Sequence, residues 1–320
     1  SIIITVVLVL GLTGVASAGL KIDISPAAKA NLGADYNSWL SDFLKVWESY
    51  SGVSSSSFNI SNSSGSYLGN AKIGLFTVGV TFNPSYIYKP KFEGGYSDGK
   101  INDFIGASFN VGLVGGFNIT KSMDVVAHIT YIPTVTYKQL EVDFFSIGAA
   151  VRWRIFRSMW GGGTGIEGLV LQLGLGGSVT KVQIKDDSLN MTITNDGVDT
   201  KIYNLDSSFK IKNFYVNAAA IFYFKLFYFL TISLGGGANL TVSKTEIDAN
   251  SYNAEVDIIT TDVIITGDTS KTYINPFAQL GITFNIAVVK LDLMVKYLIN
   301  KSLTEDGHIL NAAFAFRVDI

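Results

Sequence analysis

Hydrophobic and polar residues alternate along most of this chain with a period of two. In 273–286, Ile274, Pro276, Ala278, Leu280, Ile282, Phe284 and Ile286 share one parity. Tyr273, Asn275, Gln279, Gly281, Thr283 and Asn285 share the other, with Phe277 as the exception. In 288–299 the apolar parity holds Val289, Leu291, Leu293, Val295, Tyr297 and Ile299 against Lys290, Asp292 and Lys296. In 309–320 it holds Leu310, Ala312, Phe314, Phe316, Val318 and Ile320 against Asn311, Arg317 and Asp319. Successive side chains of a strand point to opposite faces, so each run predicts a strand with one apolar and one polar face. Strands of soluble sandwiches average about 5–6 residues. These runs extend over 11–16 residues, the length that crosses hydrocarbon at a steep tilt.

The same pattern marks 104–118, 122–132, 144–156, 167–182, 213–224 and 226–242, and earlier 70–82, a short 85–92 and a first segment at 19–30. The expectation is an all-β fold, a transmembrane antiparallel barrel of about twelve strands. Short turns are expected at 83–84, 119–121, 157–166, 225 and 287. Longer connections fall at 31–69, 93–103, 133–143, 183–212, 243–271 and 300–308. This alternation of short and long connections is that of a barrel with periplasmic turns and outer loops. The stretches 183–212 and 243–271 are polar and read as large outer loops that can carry hairpin extensions. Within 31–69, Trp39, Phe43, Val46, Trp47 and Tyr50 can share one side of a short helix before a serine-rich stretch. That segment reads as an outer loop, or as a plug or periplasmic segment ahead of a ten-strand barrel that begins near residue 70.

Composition fits this geometry. The chain has 320 residues, of which 48% are apolar and only 16% charged, with 32 glycines, no cysteine and a formal charge of -2. Soluble domains carry about 25% charged residues. A barrel in a bilayer puts its apolar residues on the outer wall and so reaches high apolar content without one long hydrophobic run. The absence of cysteine excludes disulfide scaffolds and Cys-based zinc sites, and the near-neutral charge leaves no footprint for nucleic acid. Residues 1–18, an apolar run ending in Ala16-Ser17-Ala18, read as a secretory signal peptide, or alternatively as a membrane anchor; 19–320 would be the barrel.

Several strand glycines (Gly112, Gly116, Gly174, Gly176, Gly235 and Gly237) fall mostly on the inward parity, where they let the wall curve and leave lumen space. Trp153, Phe145, Tyr131, Tyr297, Phe214, Phe222 and Tyr228 fall near strand ends, as interfacial aromatic girdles do. Parity assigns Asp124, His128, Arg152, Arg154, Lys290, Asp292, Lys296, Arg317 and Asp319 to the lumen. Charges of both signs either tune a water-filled pore or pair across a narrow interior and close it. Arg152 and Arg154 stand two residues apart on one face, a positive patch that must meet water, an anionic solute or carboxylates such as Asp292.

Chemistry beyond this is sparse. His128 and His308 are the only histidines, no G-x-S-x-G elbow occurs, and two distant histidines make no zinc set. No catalytic, cofactor or metal residues are expected, and no cofactor. The signal-like LGLTGVASA, the alternating runs over 19–320 and the last strand HILNAAFAFRVDI resemble Gram-negative outer-membrane β-barrel proteins, the porin-like class. In that class the last strand commonly ends in an aromatic residue and is read by the barrel-assembly machinery; Phe314, Phe316 and Val318 match, and Ile320 departs from the pattern. The resemblance implies an outer-membrane barrel in contact with its lipid that passes or binds small solutes, and the departure at Ile320, which sets it apart from trimeric porins, goes with the expectation of a monomer. The alternative is a structural or adhesive surface protein that uses the barrel to anchor exposed loops.

Overall fold

A computed structural model describes residues 23–24, 76–87, 107–137, 140–186, 191–195, 198–256, 259–299 and 308–320. Ten strands make the wall: β1 (Phe76–Ile87), β2 (Ala107–Thr120), β3 (Met123–Tyr137), β4 (Leu140–Met159), β5 (Gly165–Asp186), β6 (Val198–Leu226), β7 (Leu230–Val256), β8 (Ile259–Ile286), β9 (Val289–Ile299) and β10 (His308–Asp319). Each pairs antiparallel with its sequence neighbour. β10 returns to β1, with Asp319 opposite Thr77 and Ile309 opposite Ile87, and closes the ring. Closure leaves no unpaired edge in the wall. Among the described residues no helix is long and apolar enough to cross a membrane.

The barrel therefore has ten strands, not twelve. The expected turn at Asn83-Pro84 lies inside β1, where Asn83 faces Asn110 and Pro84 faces Phe109 of β2. Proline lacks an N–H but remains compatible with a strand where its missing donor interrupts only one ladder. On the β10 side the pairing skips Pro84 and resumes at Phe82 opposite Phe314. The runs 70–82 and 85–92 thus contribute to one strand. Of the segment 19–30, only Asp23–Ile24 is described; it pairs with Thr266 and Ile265 of β8 and is not part of the ring. The signal-like segment and the 31–69 connection lie outside the described residues.

The expected short turns at one end are present: Lys121-Ser122 between β2 and β3, Ala287-Val288 between β8 and β9, and residues 227–229 between β6 and β7. Between β4 and β5 a single helical turn, Gly161–Gly163, uses Gly162 at φ 69° and Gly163 at φ 74°, a backbone region that glycine enters without steric cost. At the other end, stretches expected as loops are largely strand. β6, β7 and β8 run for 29, 27 and 28 residues, while β9 and β10 stop after 11 and 12. Pairing continues along the long strands as far as Lys201 opposite Glu255 and Ile259 opposite Val256. The strand Met191–Asn195 folds back on β6. A spanning strand needs about 9–11 residues, so β6, β7 and β8 exceed that length by roughly 60 Å of strand at about 3.3 Å per residue.

Burial alternates as the parity reading requires. β9 and β10 switch between exposed and buried at nearly every residue. The outward positions Phe76, Val80, Phe82, Leu113, Ile129, Tyr131, Trp153, Leu175, Phe214, Leu280, Leu293 and Phe314 are all exposed. Such a continuous apolar surface far exceeds what a soluble protein leaves uncovered.

Candidate functional site: the barrel interior

Near the short-turn end the inward side chains are charged, and they pair. Asp124, one residue into β3, stands directly opposite Arg152 of β4. Arg152 Nε and Nη2 donate to Asp124 Oδ1 and Oδ2 at 2.7 and 2.8 Å, and both side chains are fully buried. This two-pronged contact uses the rigid guanidinium fork. Across the ring, Lys290 of β9 lies opposite Arg317 of β10, two like charges in register. They separate diagonally. Arg317 Nε and Nη2 donate to Asp292 at 2.5 and 3.1 Å, while Lys290 reaches Asp319 at 2.7 Å. Asp292 also accepts from Thr283 Oγ1 at 2.6 Å. Tyr223, buried between these groups, lies within electrostatic range of both arginine–aspartate pairs.

Arg154 takes a different direction from Arg152: its Nη2 donates to the carbonyl of Lys121 in the β2–β3 turn at 2.5 Å. The two arginines therefore form no shared patch, and the carboxylate that meets Arg152 is Asp124 and not Asp292. Parity placed all these residues on one face but could not choose partners, because pairing depends on the register between strands. Glu167 was not among the expected residues, yet it is buried, accepts from Thr231 Oγ1 at 3.3 Å and lies 4.0 Å from Lys225 Nζ. Its signal was obscured by the irregular pairing between Ile166 and Gly168, which breaks the parity there.

Above the charged layer, His128 shares a hydrogen bond of 3.1 Å with Tyr215 Oη. Tyr215 reaches from β6 over Gly148 and Gly176, and a Cβ on Gly148 would meet both Tyr215 Oη and His128 Cε1 at 2.5 Å. The space that these inward glycines create is thus filled by an aromatic side chain. Gln172, Asn217 and Asn239 form a further ladder, Gln172 donating to Asn217 at 2.9 Å and Asn217 to Asn239. Val170, Ala219, Ile221 and Tyr223 of β5 and β6 join Tyr273, Phe277, Leu298 and Ile309 of β8, β9 and β10 in one buried cluster. The cluster connects strands that are not neighbours in the ring.

Lys296 is fully buried in this region. Its Nζ has no hydrogen-bond partner and stands 3.7 Å above the centre of the Phe277 ring. His308 begins β10 on the exposed outer side, where its Nδ1 meets Tyr297 Oη and its ring stacks on the Tyr297 ring.

Higher on the outer wall, past Phe214, Lys212 Nζ contacts Glu246 Oε1 at 2.6 Å and Lys244 Nζ does so at 3.5 Å. The Lys212 hydrogen bond, with the charges of both lysines, holds the Glu246 carboxyl below the usual carboxylate range. A depressed pKa means that the contribution to stability is present above the unfolded-state value and is lost as pH falls through the folded one. Unfolding midpoints of the native chain and Glu246→Gln are therefore expected to differ slightly at neutral pH and to converge below about pH 4. A difference that widens in acid would refute this.

No family model matches the chain, and no curated protein does. Solved structures do. Ail, the attachment invasion locus protein of Yersinia pestis, aligns at 10% identity and a TM-score of 0.28, over 78% of this chain and 100% of its own. The translocator domain of autotransporter NalP from Neisseria meningitidis aligns at 10% identity and a TM-score of 0.33, over 91% and 99%. The CymD monoaromatic hydrocarbon channel aligns at 8% identity and a TM-score of 0.27, over 79% and 89%. At these values the fold rests on the closed ring described above, and the matches carry no argument beyond it.

Proposed function

We propose that this chain is an outer-membrane surface protein in which a closed ten-strand barrel anchors a projecting β-sheet. The apolar outer wall supports insertion in a bilayer, because a closed sheet is one of the two structures that satisfy every backbone polar group there. The observation that carries the anchoring role is the state of the interior charges: Asp124, Arg152, Asp292, Lys296 and Arg317 are each no more than 3% exposed. A water-filled path would leave such groups hydrated. Instead, carboxylates and guanidinium groups pair, and an apolar cluster joins opposite walls. The long strands β6, β7 and β8 then continue as paired backbone far outside the membrane, where an attachment or recognition surface has to be.

Planar bilayer recording on the purified full chain tests this. No stable conductance steps are expected, at protein concentrations where insertion is verified by protease protection. Regular openings would sink the anchor reading and favour the passage of small solutes. That second reading draws support from the polar inner face, where Thr77, Thr81, Asn83, Asn110, Gln172, Asn217, Asn239 and Asn275 are all inward and buried.

A further inference from the structure

We propose that Lys296, with the adjacent carboxamide of Gln279, forms a buried binding position for one small monovalent anion of halide type. Lys296 is the inward residue of β9 that stands between Gln279 of β8 and Asn311 of β10 in direct register. Its side chain is fully buried and its Nζ has no hydrogen-bond partner. The neighbouring carboxylates are committed elsewhere: Asp292, four residues down the same strand, holds Arg317 and Thr283, and Asp319 holds Lys290. Moving an unpaired ammonium out of water is strongly unfavourable. A desolvated cation–π contact such as that with Phe277 returns only part of that, so the ring alone does not balance the charge.

Gln279 is the second observation. It is buried beside Lys296, and its Oε1 has no partner. The oxygen and nitrogen of a carboxamide are exchangeable by a half turn, so this side chain can present its N–H where its oxygen now lies. An ammonium and an amide N–H on directly paired residues, about 5 Å apart at Cβ, can both donate to one small anion. A water molecule could satisfy the same hydrogen bonds but would leave the positive charge uncompensated. A carboxylate or phosphate brings more oxygens than these two donors serve. The Phe277 ring against Nζ belongs to the apolar cluster of the interior, and an apolar wall on that side favours a single-atom ion with a small dehydration cost. The inference stands whether or not the barrel conducts.

The direct test uses bromide. Crystals of the detergent-solubilised full chain grown in sodium bromide are expected to show an anomalous peak in contact with Lys296 Nζ. A water at that atom with no peak, or peaks confined to the protein surface, would overturn the proposal. In solution, the unfolding midpoint of the native chain should rise by several degrees and saturate as bromide replaces gluconate at constant ionic strength. Lys296→Met should abolish that rise; an equal rise in both would overturn the assignment. Should Lys296→Met fail to fold, the diffraction experiment on the native chain still decides.

Discussion

Replacing Arg317 by methionine is expected to destabilise the barrel by about 3–5 kcal/mol, the cost of leaving a buried carboxylate without its partner. Asp292 is 3% exposed and accepts hydrogen bonds from Arg317 Nε and Nη2 and from Thr283 Oγ1. Thr283 offers it one hydroxyl and no charge, and the nearby Lys290 ammonium is held by Asp319. The double variant Arg317→Met with Asp292→Leu should recover most of the loss, because a buried ion pair exchanged for apolar groups of similar volume is often neutral or better. Urea unfolding in lipid vesicles, followed by tryptophan fluorescence, gives both numbers. The same comparison at Asp124 and Arg152 is independent, since that pair occupies β3 and β4 and is just as deeply buried. If single and double variants lost equal stability, uncompensated charge would not be the cause. The end of the barrel near the short turns would then owe its stability to packing alone.

Much of this architecture was legible because a strand with one apolar and one polar face repeats its message every two residues. The alternation in 288–299 and 309–320 identifies β9 and β10, and it places Asp292, Lys296 and Arg317 inward before any partner is known. Even the exception was informative: Phe277 breaks the apolar parity of its run, and it lies inward, where its ring meets Lys296. Register was not legible. Arg317 lies opposite Lys290, so nearest-neighbour pairing alone would have put two cations together; the diagonal exchange with Asp292 and Asp319 emerges only from the hairpin geometry. The strand count failed at Asn83-Pro84, a dipeptide that signals a turn in most contexts. There the ladder to β2 tolerates a proline and continues. Polar stretches at 183–212 and 243–271 looked like loops because no regular apolar face marks a strand there. Backbone pairing between neighbouring strands sustains them instead.

Gly148→Ala is expected to cost about 1–3 kcal/mol, as overpacking of a filled interior does. In a Tyr215→Leu background most of that cost should disappear. The new methyl would meet Tyr215 Oη and His128 Cε1 at 2.5 Å, while the nearest backbone atom, the Leu175 carbonyl oxygen, is 3.1 Å away. The obstruction is thus made mainly of side-chain tips, and shortening one of them makes room. Gly237→Ala provides the contrast, because its Cβ would meet the carbonyl oxygen of Ala218 in the facing strand. No side-chain change relieves a clash with the wall itself, so its penalty should persist in every background. Denaturant midpoints for the four combinations of the Gly148 and Tyr215 variants give a coupling energy that separates a filled interior from an open one. In an open lumen Tyr215 could swing away from a new methyl group, and the two substitutions would add independently. Strong coupling is expected here because the Tyr215 hydroxyl also holds His128, and both residues are buried with little room to move. Additivity within about 0.5 kcal/mol would count against a sealed barrel and would return the interior to the role of a passage.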